Sequence, residues 1–261
     1  MREAEIRNWE RVEVERSSSE ASRTDPAELV YTEGNLARYM DPPADTCYPL
    51  EYAYHLLGDV RGLRVLDFGC GNGENTVLLA RRGAQVYGMD ISHDILKLAE
   101  QRLRLNGVTS GVHLFVASAH DVALADESID VVFGMNILHH LKLPLVAREV
   151  HRVLHKGGRA IFEEPVRNSK FVGFVRNLIP YRSPDVSPFE RPLTDAELRE
   201  FASGFSEYSH RAFKLPYINL ANVLPGAGRL GKPLYRLDGK LLRSFPSLGY
   251  YATTRVVAMV K

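Results

Sequence analysis

Between Gly62 and Phe162 the apolar residues recur in two alternating rhythms. Five short runs, Leu63–Phe68, Gln85–Met89, His113–Val116, Ile129–Phe133 and Arg159–Phe162, have the length and β-branched or aromatic content of strands. Between them, apolar residues fall at helical spacing. Glu74–Arg82 carries Val77, Leu78 and Leu79, and His93–Leu105 carries Ile95, Leu96, Leu98, Leu103 and Leu105. Leu143–Leu154 forms a third helical stretch, ending near Gly157-Gly158. Strands separated by helices predict an α/β fold, a doubly wound and mostly parallel sheet with helices on both faces. Such a sheet takes its ligand at the carboxyl ends of the strands, where strand order reverses.

The flanking segments follow other patterns. Met1–Asp25 holds seven acids against five bases, which predicts a solvated helix or mobile arm interrupted at Ser17-Ser18-Ser19. Pro26–Asp59 has enough Leu and Tyr to pack on the core as short helices, with a turn at Asp41-Pro42-Pro43. Thr194–Ala202 begins with Thr194 and Glu197 in capping-box spacing. His210–Leu215 and Tyr250–Val260 are expected to pair and give the sheet a C-terminal antiparallel strand, with the insertion Pro216–Pro246 as a lid. The expected organisation is therefore an N-terminal arm and helical cap over 1–61, a ligand-binding core over 62–163, and a substrate-side cap of the same domain over 164–261.

Composition narrows the chemistry. Among 261 residues, 33 Lys and Arg balance 32 Asp and Glu, so no general basic excess points to nucleic acid. Two cysteines, Cys47 and Cys70, supply neither a disulfide framework nor a structural zinc pair. The first thirty residues are charged rather than apolar, and no apolar run approaches the ~20 residues of a membrane span. These features lead one to expect a cytoplasmic protein.

The strongest signal is Val65-Leu66-Asp67-Phe68-Gly69-Cys70-Gly71-Asn72-Gly73, a strand turning into a helix through glycines at every second position. Glycine there permits positive φ and close approach of a ligand to the backbone. A dinucleotide loop, GxGxxG, would need glycine where Glu74 stands, and the acid Asp67 would repel a pyrophosphate. A cationic sulfur nucleoside fits that charge. Asp90 ends the second strand and is placed to accept both ribose hydroxyls, although it would serve NAD equally well. The plain alternative is that Asp67 and Asp90 only cap neighbouring helices.

Residues 62–163 resemble the core of class I S-adenosylmethionine-dependent methyltransferases, whose fold is Rossmann-like. The glycine turn carries the resemblance together with Val86–Ser92, Ala125–Val132, Asn136–Leu141 and Arg152–Gly158, and the matched span is about 40% of the chain. It implies S-adenosyl-L-methionine as cofactor and S-adenosyl-L-homocysteine as product. By the resemblance, Asp67, Gly69, Cys70 and Gly71 make the seat, with Gly69 and Gly71 against the methionine and ribose portions. Asp90 takes the ribose hydroxyls, Ile91 packs on adenine, Ser118 and Ala119 meet the adenine edge, and Asn136 lies near the methionine end. Many relatives have Asp in place of Ser118. Tyr31, Tyr39 and Tyr48 are candidate lid contacts.

Methyl transfer is an in-line displacement, so alignment and desolvation matter most, and a base is needed only for a protonated acceptor. His139, His140 and Glu163 are the catalytic candidates, with Glu164 beside them. For His139 the competing reading is a structural histidine. One of Glu163 and Glu164 is expected to face the acceptor and the other to cap a helix. No dedicated metal cluster is expected. The position after the fourth strand holds Gly134-Met135-Asn136-Ile137 rather than an Asn/Asp-Pro-Pro-aromatic motif, which excludes nucleic-acid amino-methyltransferases. It also lacks the paired acids that aminopropyl transfer would want. Val166–Arg182 and Pro216–Pro246 each carry a net +4 among apolar residues, suiting an amphiphilic or anionic acceptor, with peripheral contact to a membrane as one expectation. The expected activity is methyl transfer to a small-molecule, lipid or glycan-precursor acceptor. The alternative is a non-catalytic cofactor-binding regulator or partner.

Overall fold

The computed structural model describes residues 3–170, 172–174, 191–218 and 231–261. Seven strands form one sheet in the order β3-β2-β1-β4-β5-β7-β6. They are β1 (Arg64–Phe68), β2 (Gln85–Asp90), β3 (Val112–Val116), β4 (Ile129–Met135), β5 (Leu154–Pro165), β6 (Glu207–Phe213) and β7 (Thr254–Val260). Only β7 runs antiparallel to its neighbours. The reversal of order between β1 and β4 opens the crevice at their carboxyl ends.

Because successive residues of a strand face opposite sides, the apolar runs feed two cores. Leu66, Phe68, Val132, Ala160 and Phe162 pack against α6 (Leu143–Val153) and α7 (Asp195–Phe201). Their neighbours Val65, Val131, Phe133 and Ile161 pack on the other face against Tyr54 and Leu57 of α3 (Pro49–Leu57) and Val77 and Leu78 of α4 (Glu74–Arg81). The helix α5 (His93–Leu105) follows β2, capped by Ser92. Thr194 and Glu197 form the expected capping box at the head of α7.

Several boundaries differ from the sequence reading. The turn expected at Gly157-Gly158 lies inside β5, where a register shift between Ile129 and Val131 absorbs His155–Gly158 as a bulge. β6 begins at Glu207, three residues earlier than expected, and Tyr250 and Tyr251, expected in the closing strand, end the 3-10 turn Pro246–Tyr251, so β7 starts only at Thr254. The described part of the insertion contains α8 (Gly231–Ser244). Its buried Asp238 accepts from the backbone N–H groups of Lys214 and Leu215, which pins the helix to the end of β6. In the expected basic caps, Phe171, Val175, Arg176, Leu178, Ile179, Arg182 and Arg229 lie outside the described residues.

The largest correction concerns the N-terminus. α1 (Glu3–Arg23) runs unbroken through Ser17-Ser18-Ser19 and packs on α5. Serine costs a helix only about 0.5 kcal/mol relative to alanine, and here tertiary contact offsets it. Ser17 is buried, the hydroxyls of Ser18 and Ser92 lie 3.4 Å apart, and Ser22 donates back to the Ser19 carbonyl. α2 (Glu33–Met40) and α3 complete the N-terminal cap.

Candidate functional site

At the carboxyl end of β1 the chain turns through Gly69 (φ +74°), Gly71 (+50°) and Gly73 (+83°). A Cβ on Gly69 would lie 2.7 Å from Ile137 Cδ1 and one on Gly73 2.9 Å from the Cβ of Ala99, so side chains are excluded on packing as well as on φ. A Cβ on Gly71 would meet nothing within 4 Å, so this part of the turn faces open space. The Cys70 N–H donates to Met89 O, joining the turn to β2.

Asp90 locks this geometry. One carboxylate oxygen accepts from the Gly71 N–H at 3.1 Å and the other from the Ser92 N–H at 3.0 Å. A carboxylate offers about four acceptor positions, so these bonds do not exhaust its capacity. Burial pushes the Asp90 pKa up, opposed by these backbone donors.

A cavity of about 140 Å³ lies over the turn. Gly69, Gly71, Asp90, Ile91, Ser118, Ala119, Asn136 and His140 all line it. Eight sequence-expected residues, drawn from the ends of four strands, thus meet at one place. Asn136 adopts φ +55°, a conformation tolerated by asparagine better than by most residues, and its N–H donates to Glu163 O at 2.8 Å.

Asp67 and Cys70 do not line this cavity. They sit behind the turn, 2% and 7% exposed, where Thr76 Oγ1 donates to Asp67 at 2.6 Å and the Cys70 sulfur packs beside Gly88. The surface charge of the cavity comes instead from α1. Glu10, Glu13 and Glu20 join Asp90 in the lining against Arg16 alone among Lys and Arg, so the cavity is acidic and ill suited to a pyrophosphate. The arm read as solvated therefore roofs the site. Trp9, Glu13 and Ser17, each four residues apart on one helical face, were the available signal, hidden by the charged residues around them.

The paired glutamates at the end of β5 take different roles, as adjacent strand residues must. Glu164 is fully buried and accepts from the N–H groups of Ile137 (2.9 Å), Leu138 (2.8 Å) and His139 (3.4 Å), and from His139 Nδ1 at 2.8 Å. His139 is thereby fixed against Glu164. Glu163 faces Lys214 Nζ at 3.7 Å. Burial raises the Glu163 pKa, with Lys214 opposing. The Glu163 carboxylate also contributes to the raised pKa values of Tyr39 and Tyr235, both raised chiefly by burial. The Tyr48 and Tyr235 rings pack tilted with centroids 4.9 Å apart, whereas Tyr31 donates to Glu74 O at the head of α4. None of Tyr31, Tyr39 and Tyr48 lines the glycine-turn cavity. A second cavity, about 900 Å³, opens between α6 and α7 beside His139, and Trp9 and Leu141 line both cavities.

Residues 66–162 match the family model described as a methyltransferase domain. The ubiquinone biosynthesis O-methyltransferase of Bordetella avium is 35% identical over 56% of this chain and 64% of its own length, so the chain spans just under two thirds of that relative. Its counterpart from Bordetella pertussis is 32% identical over 67% of this chain and 79% of that protein. Among solved structures, geranyl diphosphate C-methyltransferase from Streptomyces coelicolor A3(2), bound to Mg2+, geranyl diphosphate and S-adenosyl-L-homocysteine, superposes with a TM-score of 0.55. That match covers 80% of this chain and 76% of the other at 18% identity, a likeness of fold.

Buried without a cationic partner, Asp67 has its pKa raised to about 7, chiefly by desolvation, with Thr76 opposing and Asp90 adding. The unfolded carboxyl titrates near ~4, so the folded protein retains a proton that the unfolded chain releases. Its stabilising effect is complete below ~4 and is lost as pH rises to about 7. Urea midpoints of wild type and Asp67→Asn should therefore diverge from pH ~4 to ~7, wild type losing stability relative to the variant. Parallel midpoints across that range would show that Asp67 does not titrate there.

Proposed function

Since the chain belongs to the class I S-adenosylmethionine-dependent methyltransferases, we propose that it transfers a methyl group to the hydroxyl of a small amphiphilic acceptor, and that the cavity over the glycine turn holds the nucleoside. The observation that carries the placement is the convergence of the turn, Asp90, Ile91, Ser118, Ala119 and Asn136 on one acidic cavity. The space over Gly71 admits a ligand, and Asp90 retains acceptor capacity for a diol. In this reading Asp90 takes the ribose hydroxyls, Ile91 supports the adenine face, Ser118 and Ala119 meet its edge, and Asn136 borders the methionine end. Asp67 and Cys70 act from behind, by shaping the turn. The relatives named for O-methyl transfer support an oxygen acceptor. The binder-only alternative gains no support from them.

When bound, the cofactor supplies an electrophilic methyl on a positive sulfur, and its product is a neutral thioether that needs no acid to leave. The chain's task is to align the acceptor and take its proton. Glu163 is our candidate base: it is buried at the end of β5, its pKa is raised by that burial, and it adjoins Asn136 through the backbone. A raised carboxylate pKa makes a better proton acceptor near neutrality. His140 lines the nucleoside cavity and is the second candidate, while His139 serves to hold the turn that Glu164 caps.

Calorimetry should find S-adenosyl-L-methionine and S-adenosyl-L-homocysteine bound and NADH ignored, with Asp90→Ala weakening homocysteine-product binding by ~100-fold through two lost charge-assisted hydrogen bonds. A methyl-release screen over phenols, amines, thiols and lipids should then show turnover on hydroxylated aromatics or lipids, reduced by Glu163→Gln. Retention of NADH, or tight product binding with no turnover across the panel, would contradict this function.

The apolar, basic periphery suggests where such an acceptor is met. Among the described residues no helix is long and apolar enough to cross a membrane. α8 carries Lys232, Arg236, Lys240 and Arg243, and Leu237 and Phe245 nearby are 48% and 58% exposed. We read this as a cytoplasmic enzyme that rests on anionic lipid through this surface. Co-sedimentation should recover more protein with anionic than with neutral vesicles, and Leu237→Glu/Phe245→Glu should lower that recovery by ~5-fold or more. Equal recovery with both vesicle types would defeat the membrane contact.

A further inference from the structure

We propose that Glu10, on the N-terminal helix α1, recognises the exocyclic amine of the bound adenosine and so makes closure of that helix a part of cofactor selection. The inference rests on the placement of adenine beside Ser118 given above.

At that end of the cavity four groups form a closed network. The Lys142 N–H donates to His120 Nε2 at 3.1 Å, which leaves the ring hydrogen on Nδ1. Nδ1 donates to Glu10 Oε1 at 3.1 Å, and Ser118 Oγ donates to the same oxygen at 2.5 Å. The His120 N–H in turn donates to Ser118 Oγ at 3.0 Å. The Ser118 hydroxyl has thus spent its only hydrogen on Glu10 and one lone pair on His120. Glu10 is the anionic acceptor here: Oε1 takes both bonds, and among the described residues Oε2 accepts none. Glu10, Ser118, Ala119 and His120 all line the cavity.

An adenine amine entering beside Ser118 brings donors that must be paired once buried. A carboxylate held by two donors at a fixed position is the strongest partner available, and a hydroxyl already committed twice is the weaker one. Glu10 belongs to α1, which docks through other contacts as well. Lys142 Nζ sits 4.2 Å from the centre of the Trp9 ring, and Glu13 Oε2 lies 3.5 Å from His140 Nδ1. The base is therefore read by a residue that is in place only when α1 lies across the site.

The test compares S-adenosyl-L-homocysteine with S-inosyl-L-homocysteine, in which a carbonyl oxygen replaces the amine, by calorimetry on the full chain. Wild type should prefer the adenosyl compound by ~10- to 100-fold, because the inosyl carbonyl faces a carboxylate. Glu10→Ala should bring that ratio close to one. Adding Ser118→Asp to Glu10→Ala moves the carboxylate onto the loop and should restore the preference. A ratio unchanged in Glu10→Ala overturns the proposal. Ile91→Ala separates the two levels of the reading: if adenine lies where we place it, both ligands weaken together while their ratio persists. If Ile91→Ala changes neither affinity, the placement itself fails. If it weakens both while Glu10→Ala keeps the ratio, the placement stands and the role of Glu10 falls.

Discussion

The site depends on one carboxylate shared between two backbone amides. Asp90 accepts from Gly71 in the turn after β1 and from Ser92 at the head of α5. A turn with three positive-φ glycines is conformationally loose by itself. Tied through Asp90 to the rigid end of β2, it becomes a fixed edge of the crevice where β1 and β4 part. The same carboxylate lines the cavity over the turn, so the group that fixes this edge also borders the space above it.

A second carboxylate does for β4 and β5 what Asp90 does for β1 and β2. Glu164 collects three backbone N–H groups and the His139 ring, and this fixes the turn that follows Asn136. Its neighbour Glu163 projects the other way, to Lys214 and the tyrosines of the cap. Strand alternation alone sends the two adjacent acids to opposite sides of the sheet. A backbone bond from the Asn136 N–H to Glu163 O ties the end of β4 to this pair of acids.

Much of this was legible in the chain because parallel strands buried on both faces leave continuous apolar runs, and because glycines and acids at strand ends have few other uses. The five core strands, the closing antiparallel pair, the Thr194 capping box and the convergence of Gly69, Asp90, Ser118 and Asn136 all follow from local pattern. Three things did not. The division of labour between Glu163 and Glu164 depends on strand phase, which a run of apolar residues on both faces conceals. Asp67 sits behind the turn because the strand that carries it points inward there, whereas charge reasoning placed it at the ligand. The role of α1 was hidden because Trp9, Glu13 and Ser17 form a narrow stripe among charged residues, and only tertiary contact shows that the stripe roofs a cavity.

The acidic lining adds a charge preference that the turn alone does not have. Glu10, Glu13, Glu20 and Asp90 outnumber Arg16 around the cavity, an environment that favours a positive sulfur over a phosphate. A crystal structure of the full chain with S-adenosyl-L-homocysteine tests this most directly. The account predicts both ribose hydroxyls within hydrogen-bond reach of Asp90, adenine between Ile91 and Ala119, and the Gly71–Asp90–Ser92 bridge intact. Nucleoside density elsewhere, or Asp90 turned away from the ribose, would contradict it.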